Sequence, residues 1–347
     1  MKTPYLYLDQ DKLMFNIKNM ARLARENHTA LRPHCKSHKT QEIALLQIEY
    51  GSQGITASTL KEVAMLVAAG IKNITLAYPL IQEDSIKEYK QLMQKANLRT
   101  IVNSEDHARL LHQYFKAGEL EVYLKVDSGL MRLGVQPGDI EITLSRLKAY
   151  DSLKIVGLLT HGGHSYQGKL PLAQVAKEEA YSLINNNPDH LIISCGSTPT
   201  ARELLQINGV DEARPGNYVF YDRTMIALGV AKAEEVSLFL ITSVIAKYED
   251  RLVIDAGSKA LSSDAGVHGN KNITGFGLIP EDETLRIERL SEEHGIVKGS
   301  GISNYQLGDQ LKIIPNHACS MVNLFDEIHV FKENCYQKTF VIKGRGH

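Results

Sequence analysis

Short apolar runs alternate with helix-period segments up to about residue 225, and this rhythm narrows the fold more than any other feature of the chain. The runs fall at 30–36, 54–58, 74–78, 98–103, 121–126, 154–160, 191–195 and 212–221, with helical patterns at 59–70, 82–96, 104–117, 173–185 and 200–207. Strands that alternate with helices of this length form βαβ units around a parallel sheet. The runs are nearly all apolar rather than alternating, as expected of a sheet covered on both faces. Eight such units fit a (β/α)8 barrel better than an open doubly wound sheet, and no Gly-x-Gly-x-x-Gly fingerprint opens the first helix.

After about residue 230 the rhythm changes to strand-like runs at 236–248, 251–256, 284–290, 295–298, 310–314, 327–331 and 337–342, separated by short turns. The expected fold is therefore α/β: a TIM-type barrel over residues 10–230 and a mostly antiparallel β domain over 231–347, joined by residues 1–9. The stretch 343–347 reads as a frayed end or a crossing strand tip.

Charge excludes some partners. The chain has 39 Lys+Arg against 40 Asp+Glu, so it has no global attraction to nucleic acid or anionic membrane. No apolar run approaches the ~18 residues of a membrane span. The first nine residues turn charged too early for a signal peptide. Cys35, Cys195, Cys319 and Cys335 lie far apart and form no framework spacing, which suits reduced thiols in a cytoplasmic protein.

Barrel enzymes place their chemistry at the C-terminal ends of the strands. The first run ends in Arg32-Pro-His-Cys-Lys-Ser-His-Lys39, where period-2 alternation puts His34, Lys36 and His38 on one face. Lys36 is either a surface-loop lysine or, if desolvated, an amine able to form a Schiff base. The seventh run leads into Gly196-Ser197-Thr198-Pro199, a helix start suited to an anion. The eighth carries Arg214-Pro-Gly-Asn217-Tyr218 beside it, where barrels habitually bind phosphate. Taken with an inward Lys36, these turns favour a phosphate-bearing aldehyde cofactor over a mere capped helix and tight turn. Arg132, after the fifth run, would hydrogen-bond that cofactor's ring or else pair with Asp127. His164 and Tyr166 are candidate catalytic groups on a Gly-hinged loop after the sixth. In the β domain, His317 and Cys319 are two apart on an expected extended segment, so both could ligate one borderline-soft divalent metal. The turn Ser262-Ser-Asp264 adds polar groups that could border the site.

These segments together resemble the D-threonine aldolase / D-serine dehydratase family, barrel-type pyridoxal-phosphate enzymes related to alanine racemase. The matching stretches run in order from RPHCKSHKT (32–40) through GITASTLKEV (54–63), VDSGLMRLGV (126–135), GGHSY (162–166), GSTPT (196–200), RPGNYVFYD (214–222) and DAGSKALSSD (255–264) to PNHACSMVNL (315–324). The resemblance implies that Lys36 is the Schiff-base lysine, that Gly196, Ser197, Thr198 and the Asn217–Tyr218 turn hold the phosphate, and that Arg132 contacts the ring. It also implies that His317 and Cys319 bind a divalent metal, Zn2+ before Mn2+ or another, and that the assembly is a homodimer.

Pyridoxal phosphate is an electron sink at the substrate α-carbon, and a Lewis-acidic metal acts on a β-hydroxyl. That combination serves either dehydration or retro-aldol cleavage. In the resembled family His-x-Cys accompanies the dehydratases and His-x-Asp the best-known aldolases, so Cys319 points to dehydration of D-serine or another D-3-hydroxy amino acid. D-threonine aldolase is the alternative, with an amino acid racemase and a non-catalytic cofactor carrier behind it. Ser320 and Met321 depart from the resembled pattern, in which a proline commonly follows the pair.

Overall fold

The computed structural model describes residues 1–265 and 273–346. It opens with β1 (Tyr5–Asp9) and a helix, Gln10–Glu26, that Asp9 caps by accepting from the Lys12 amide at 3.1 Å. Eight parallel strands follow: β2 (Ala30–Leu31), β3 (Ile55–Ala57), β4 (Asn73–Leu76), β5 (Asn97–Val102), β6 (Leu120–Lys125), β7 (Leu153–Leu159), β8 (Ile192–Cys195) and β9 (Glu212–Ala213). They pair in the order β2-β9-β8-β7-β6-β5-β4-β3. The sheet curls until its ends meet at a parallel bridge between His34 and Thr56, where the Thr56 amide donates to the Pro33 carbonyl at 2.7 Å.

The outer helices bury apolar residues against the strands, and two of them are started by side-chain caps. Thr59 caps Leu60–Ala68 and Ser104 caps Glu105–His112, each hydroxyl accepting one of the amides left unpaired at a helix start. Between helices and strands lies a continuous apolar layer including Ile55, Leu66, Ile74, Leu124, Leu158 and Leu183.

The barrel interior is partly polar. Arg32 on the β2 extension meets Glu212 of β9 at 2.9 Å, and Glu212 also accepts from Ser194 at 2.7 Å and Tyr123 at 3.2 Å. A charge this deep is tolerable because it is paired and both its oxygens accept hydrogen bonds.

The second sheet contains β10 (Leu238–Lys247), β11 (Leu252–Ile254), β12 (Leu285–Leu290), β13 (Gly295–Gly299), β14 (Gln310–Ile313), β15 (Glu327–Lys332) and β16 (Cys335–Val341). Its order is β12-β13-β11-β10-β1-β15-β16, with β14 on β10; β1 runs antiparallel to β10 and parallel to β15. Residues 343–346 cross back to the barrel, the Gly344 amide donating to the Lys39 carbonyl at 3.0 Å; His347 lies outside the described residues.

Two expected runs are corrected. The strand predicted at 30–36 stops at Leu31, because Pro33 has no amide and His34 caps a 3-10 turn, Cys35–Ser37. The run 212–221 is strand only at Glu212–Ala213; Pro215 and Gly216 break it, and Asn217–Val219 is a 3-10 turn.

Candidate active site

The strand ends of the barrel and one turn of the second sheet enclose a cavity of about 230 Å³. Its lining brings together Lys36, Arg132, Tyr166, Ser197, Thr198, Asn217, His317 and Cys319 from the sequence reading. It also includes His34, Ser37, Lys39, Ser58, His161, Arg214 and Gly216.

Lys36 projects into this cavity from the Cys35–Ser37 turn. Among the described residues its amine has neither hydrogen bond nor ion pair, and burial, reinforced by Arg132 and Arg214 against Cys319 and Glu62, lowers its pKa. His38 does not share its face. The turn rotates His38 into the protein, where the Thr40 amide donates to Nδ1 at 3.2 Å and burial lowers its pKa to about 3. Lys39, at φ 53°, donates to Glu62 at 2.6 Å, and Glu62 in turn accepts from the Ser58 amide at 2.6 Å.

On the opposite wall Gly196 has φ +114°, a backbone conformation that side chains disfavour. It turns the chain so that Ser197 and Thr198 face the cavity, although Gly196 itself does not line it. The Gly216 amide donates to Thr198 Oγ1 at 3.2 Å. A Cβ at Gly216 would meet Ser37 Oγ at 2.9 Å, so this glycine lets the β9 turn approach the lysine turn. Arg214 is buried and donates to the Ser194 hydroxyl and the Thr160 carbonyl. Tyr166 interacts with Thr198; burial, with Cys319 and Asp222 nearby, raises its phenol pKa, so it serves as a donor.

Arg132 does not pair with Asp127 through its guanidinium. Asp127 instead accepts the backbone amides of Gly129, Met131 and Arg132 at 2.9–3.0 Å, forming a loop that aims Arg132 at the cavity. The Tyr218 side chain points into the core, its hydroxyl accepting from Gln47 at 3.0 Å. His164 packs over Gly129, outside the lining. Arg214 and His161, assigned no role from sequence, sit at strand ends, which is the one signal that would have found them.

His317 and Cys319 meet at a helix start rather than along an extended segment: His317 precedes the helix Ala318–Val322 and Cys319 lies in its first turn. Buried Asp222 fixes this start, accepting from the Ala318 amide at 3.0 Å and from Asn217 Nδ2 at 2.7 Å. Cys319 Sγ and Ser37 Oγ are 3.1 Å apart, which joins the pair to the lysine turn. Burial opposes both charges of the pair, but each partner favours the other's. His317's pKa is raised to about 10, with Asp264 and Asp222 contributing, and that of Cys319 is lowered.

The donor set can be tested against the groups it would hold. A lysine amine, hydroxyls at Ser197 and Thr198, Arg132 and the amide of Asn217, whose buried Oδ1 has no partner among the described residues, suit a phosphate-bearing aldehyde. An imidazole beside a thiolate suits a borderline-soft divalent cation. Among the described residues no three His, Cys, Asp or Glu side chains converge, so this pair would leave coordination positions open.

A cavity lined by a desolvated lysine, a pair of hydroxyls and an imidazole beside a thiol has the groups to hold a phosphate-bearing aldehyde and a divalent cation. The comparisons agree. The family described as alanine racemase, N-terminal domain, matches residues 8–224, and a serine dehydratase domain matches residues 237–331. The chain belongs to this alanine-racemase-like family of pyridoxal-phosphate-dependent lyases.

Among its relatives is a D-threo-3-hydroxyaspartate dehydratase from Delftia sp. (strain HT23), 31% identical over 92% of this chain and 91% of the relative. A D-serine dehydratase from Dictyostelium discoideum is 29% identical over 96% and 94%. A D-threonine aldolase from Arthrobacter sp is 27% identical over 99% and 93%. The solved structure of the Delftia enzyme superposes with a TM-score of 0.92 at 29% identity, covering 100% of this chain and 98% of that one. No helix among the described residues is long and apolar enough to cross a membrane.

Proposed function

We propose that the protein dehydrates a D-β-hydroxy amino acid, with D-serine the first candidate, using pyridoxal phosphate and a divalent metal. The observation that carries this reading is that Lys36 and the His317–Cys319 pair face one cavity. When bound, the cofactor supplies an electron sink for the pair left at the α-carbon and the cation supplies Lewis acidity toward the β-hydroxyl.

The chain's own groups do the rest. Lys36 holds the cofactor and takes the α-proton at Nζ. Ser197, Thr198, Tyr166 and the Gly196–Ser197 and Asn217–Tyr218 backbones cradle the phosphate, and Arg132 orients the ring. His317 Nε2 and Cys319 Sγ fix the cation on the hydroxyl side of the substrate. The Delftia relative supports the last assignment: a histidine and a cysteine two positions apart have each been replaced by alanine there, and the cysteine variant is a metal-free form. A sulfur donor favours Zn2+ over Mn2+. We assign the metal pair to a domain of residues 231–347 plus 1–9, the cofactor to residues 10–230, and the assembly to a homodimer. Free thiols at all four cysteines support a cytoplasmic setting.

The retro-aldol reading draws on the likeness to D-threonine aldolase. Pure protein incubated with D-serine, D-threonine and D-threo-3-hydroxyaspartate, with and without chelator, separates the two. The expected result is chelator-sensitive release of ammonia with pyruvate from D-serine and 2-oxobutyrate from D-threonine. Glycine plus acetaldehyde from D-threonine would establish the aldolase instead, and metal-independent interconversion of enantiomers a racemase. Inertness toward all three substrates would remove both lyase readings.

A further inference from the structure

His317 is held from behind. Its Nδ1 lies 2.8 Å from Asp264 Oδ2 and 2.9 Å from Ser320 Oγ, and the Ser320 hydroxyl donates to the same carboxylate oxygen at 2.6 Å. Three side chains from two segments more than fifty residues apart thus close a small ring of hydrogen bonds on one imidazole nitrogen. The carboxylate is itself positioned. Asn316, buried and next to His317, donates from Nδ2 to the Asp264 carbonyl at 3.0 Å and to the Gly275 carbonyl at 2.8 Å. Arg223 and Thr224 tie Asn316 back to the end of the barrel, Thr224 Oγ1 donating to the Asn316 carbonyl at 2.7 Å.

The geometry has a chemical consequence. A carboxylate accepts only, so Nδ1 must carry a proton, and Nε2 is the nitrogen left to give up its own proton and offer a lone pair to a metal. Ser320 spans both partners, so it resists rotation of the ring as well as fixing its tautomer. Asp264 thus meets His317 through Oδ2 at the far nitrogen of the ring. The helix start supplies the rest: it places Ser320 one turn beyond His317, so the hydroxyl reaches back to the imidazole.

We propose that Asp264 and Ser320 are positioning residues that prepare His317 Nε2 to bind the metal, with Ser320 specific to chains that continue the His-x-Cys pair with a hydroxyl residue. The proposal rests on the reading that His317 and Cys319 are the metal ligands. Outer partners of a ligating histidine typically contribute about 10- to 100-fold in metal affinity, and loss of one hydrogen bond among several contributes several-fold.

The test measures Zn2+ affinity of the pyridoxal-phosphate-loaded protein by competition with a chromogenic chelator, with cofactor absorbance as the check on folding. The expected result is affinity lowered about 10- to 100-fold in Asp264→Asn and several-fold in Ser320→Ala, with the cofactor band retained and activity restored by excess Zn2+. Wild-type Zn2+ affinity in Asp264→Asn overturns the proposal. Should that variant lose its cofactor band, Ser320→Ala decides alone, and wild-type affinity there overturns it. His317→Ala separates the underlying reading: if it binds Zn2+ as the wild type does, the ligand assignment fails, whereas its loss of Zn2+ beside unchanged Asp264→Asn and Ser320→Ala affinities fails the positioning role alone.

Discussion

Lys36 owes its chemistry to a three-residue turn. Replacing it by Ala should abolish the absorbance band of the bound cofactor's Schiff base together with activity; a persisting band would take Lys36 out of that role. The two tyrosines of the cofactor wall should behave oppositely. Tyr166→Phe removes a hydroxyl that lines the cavity, so cofactor affinity should fall. Tyr218→Phe removes one bonded to Gln47 in the core, so it should cost about 1 kcal/mol in a denaturant melt with kcat and KM unchanged. A cofactor affinity lowered equally in both would show that the Tyr218 side chain acts at the site. At this scale the sequence brought Lys36, Ser197 and Thr198 to one cavity, although Lys36 stands on a turn where a strand end was expected and the helix expected at Ser197–Thr198 begins only at Ala201. His38 was misplaced because strand periodicity was carried past Pro33. Asp264 and Ser320 gained definite roles only when the fold brought them together across 56 residues.

The barrel strands were legible because burial on both faces removes polar residues from most positions, leaving compact apolar runs. That logic fails at β2 and β9, each only two residues long. There the interior is charged, and the sequence reading mistook the apolar turn after Arg214 for strand. The Arg32–Glu212 pair links these two short strands where ladder hydrogen bonds are fewest. Burial alone would raise the Glu212 carboxyl, but Arg32 and Ser194 outweigh it and hold its pKa below the ordinary carboxylate value. This contribution is therefore present above about pH 4.3, the ordinary glutamate value, and is lost as pH falls through the lowered native one. Glu212→Gln leaves Arg32 buried and unpaired and should cost about 3–5 kcal/mol at neutral pH. Its stability should also decline less steeply than wild type on acidification, as urea melts from neutral to acid pH would record. Equal slopes would deny the pair its part in acid stability.

Across the whole molecule, the cavity is assembled from both sheets: the lysine and the anion cradle come from barrel strand ends, and His317 and Cys319 from the turn after β14. Asp222 joins them, one carboxylate gripping Asn217 on one side and the Ala318 amide between His317 and Cys319 on the other. The existence of two units was readable in the changed rhythm after residue 230, but not how they interlock, since that depends on contacts such as Asp222 to Ala318 that no local pattern encodes.

β1 gives this interlocking an order in time. It is made before both of its hydrogen-bonding neighbours, β10 and β15, so Leu6 and Leu8, wholly shielded in the finished protein, have no strand partners while the barrel emerges from the ribosome. At roughly 5–20 residues per second of translation, β10 follows on the order of 10–50 s later. Through that interval the nascent chain carries an unpaired apolar edge, an open invitation to chaperones and to neighbouring nascent chains alike.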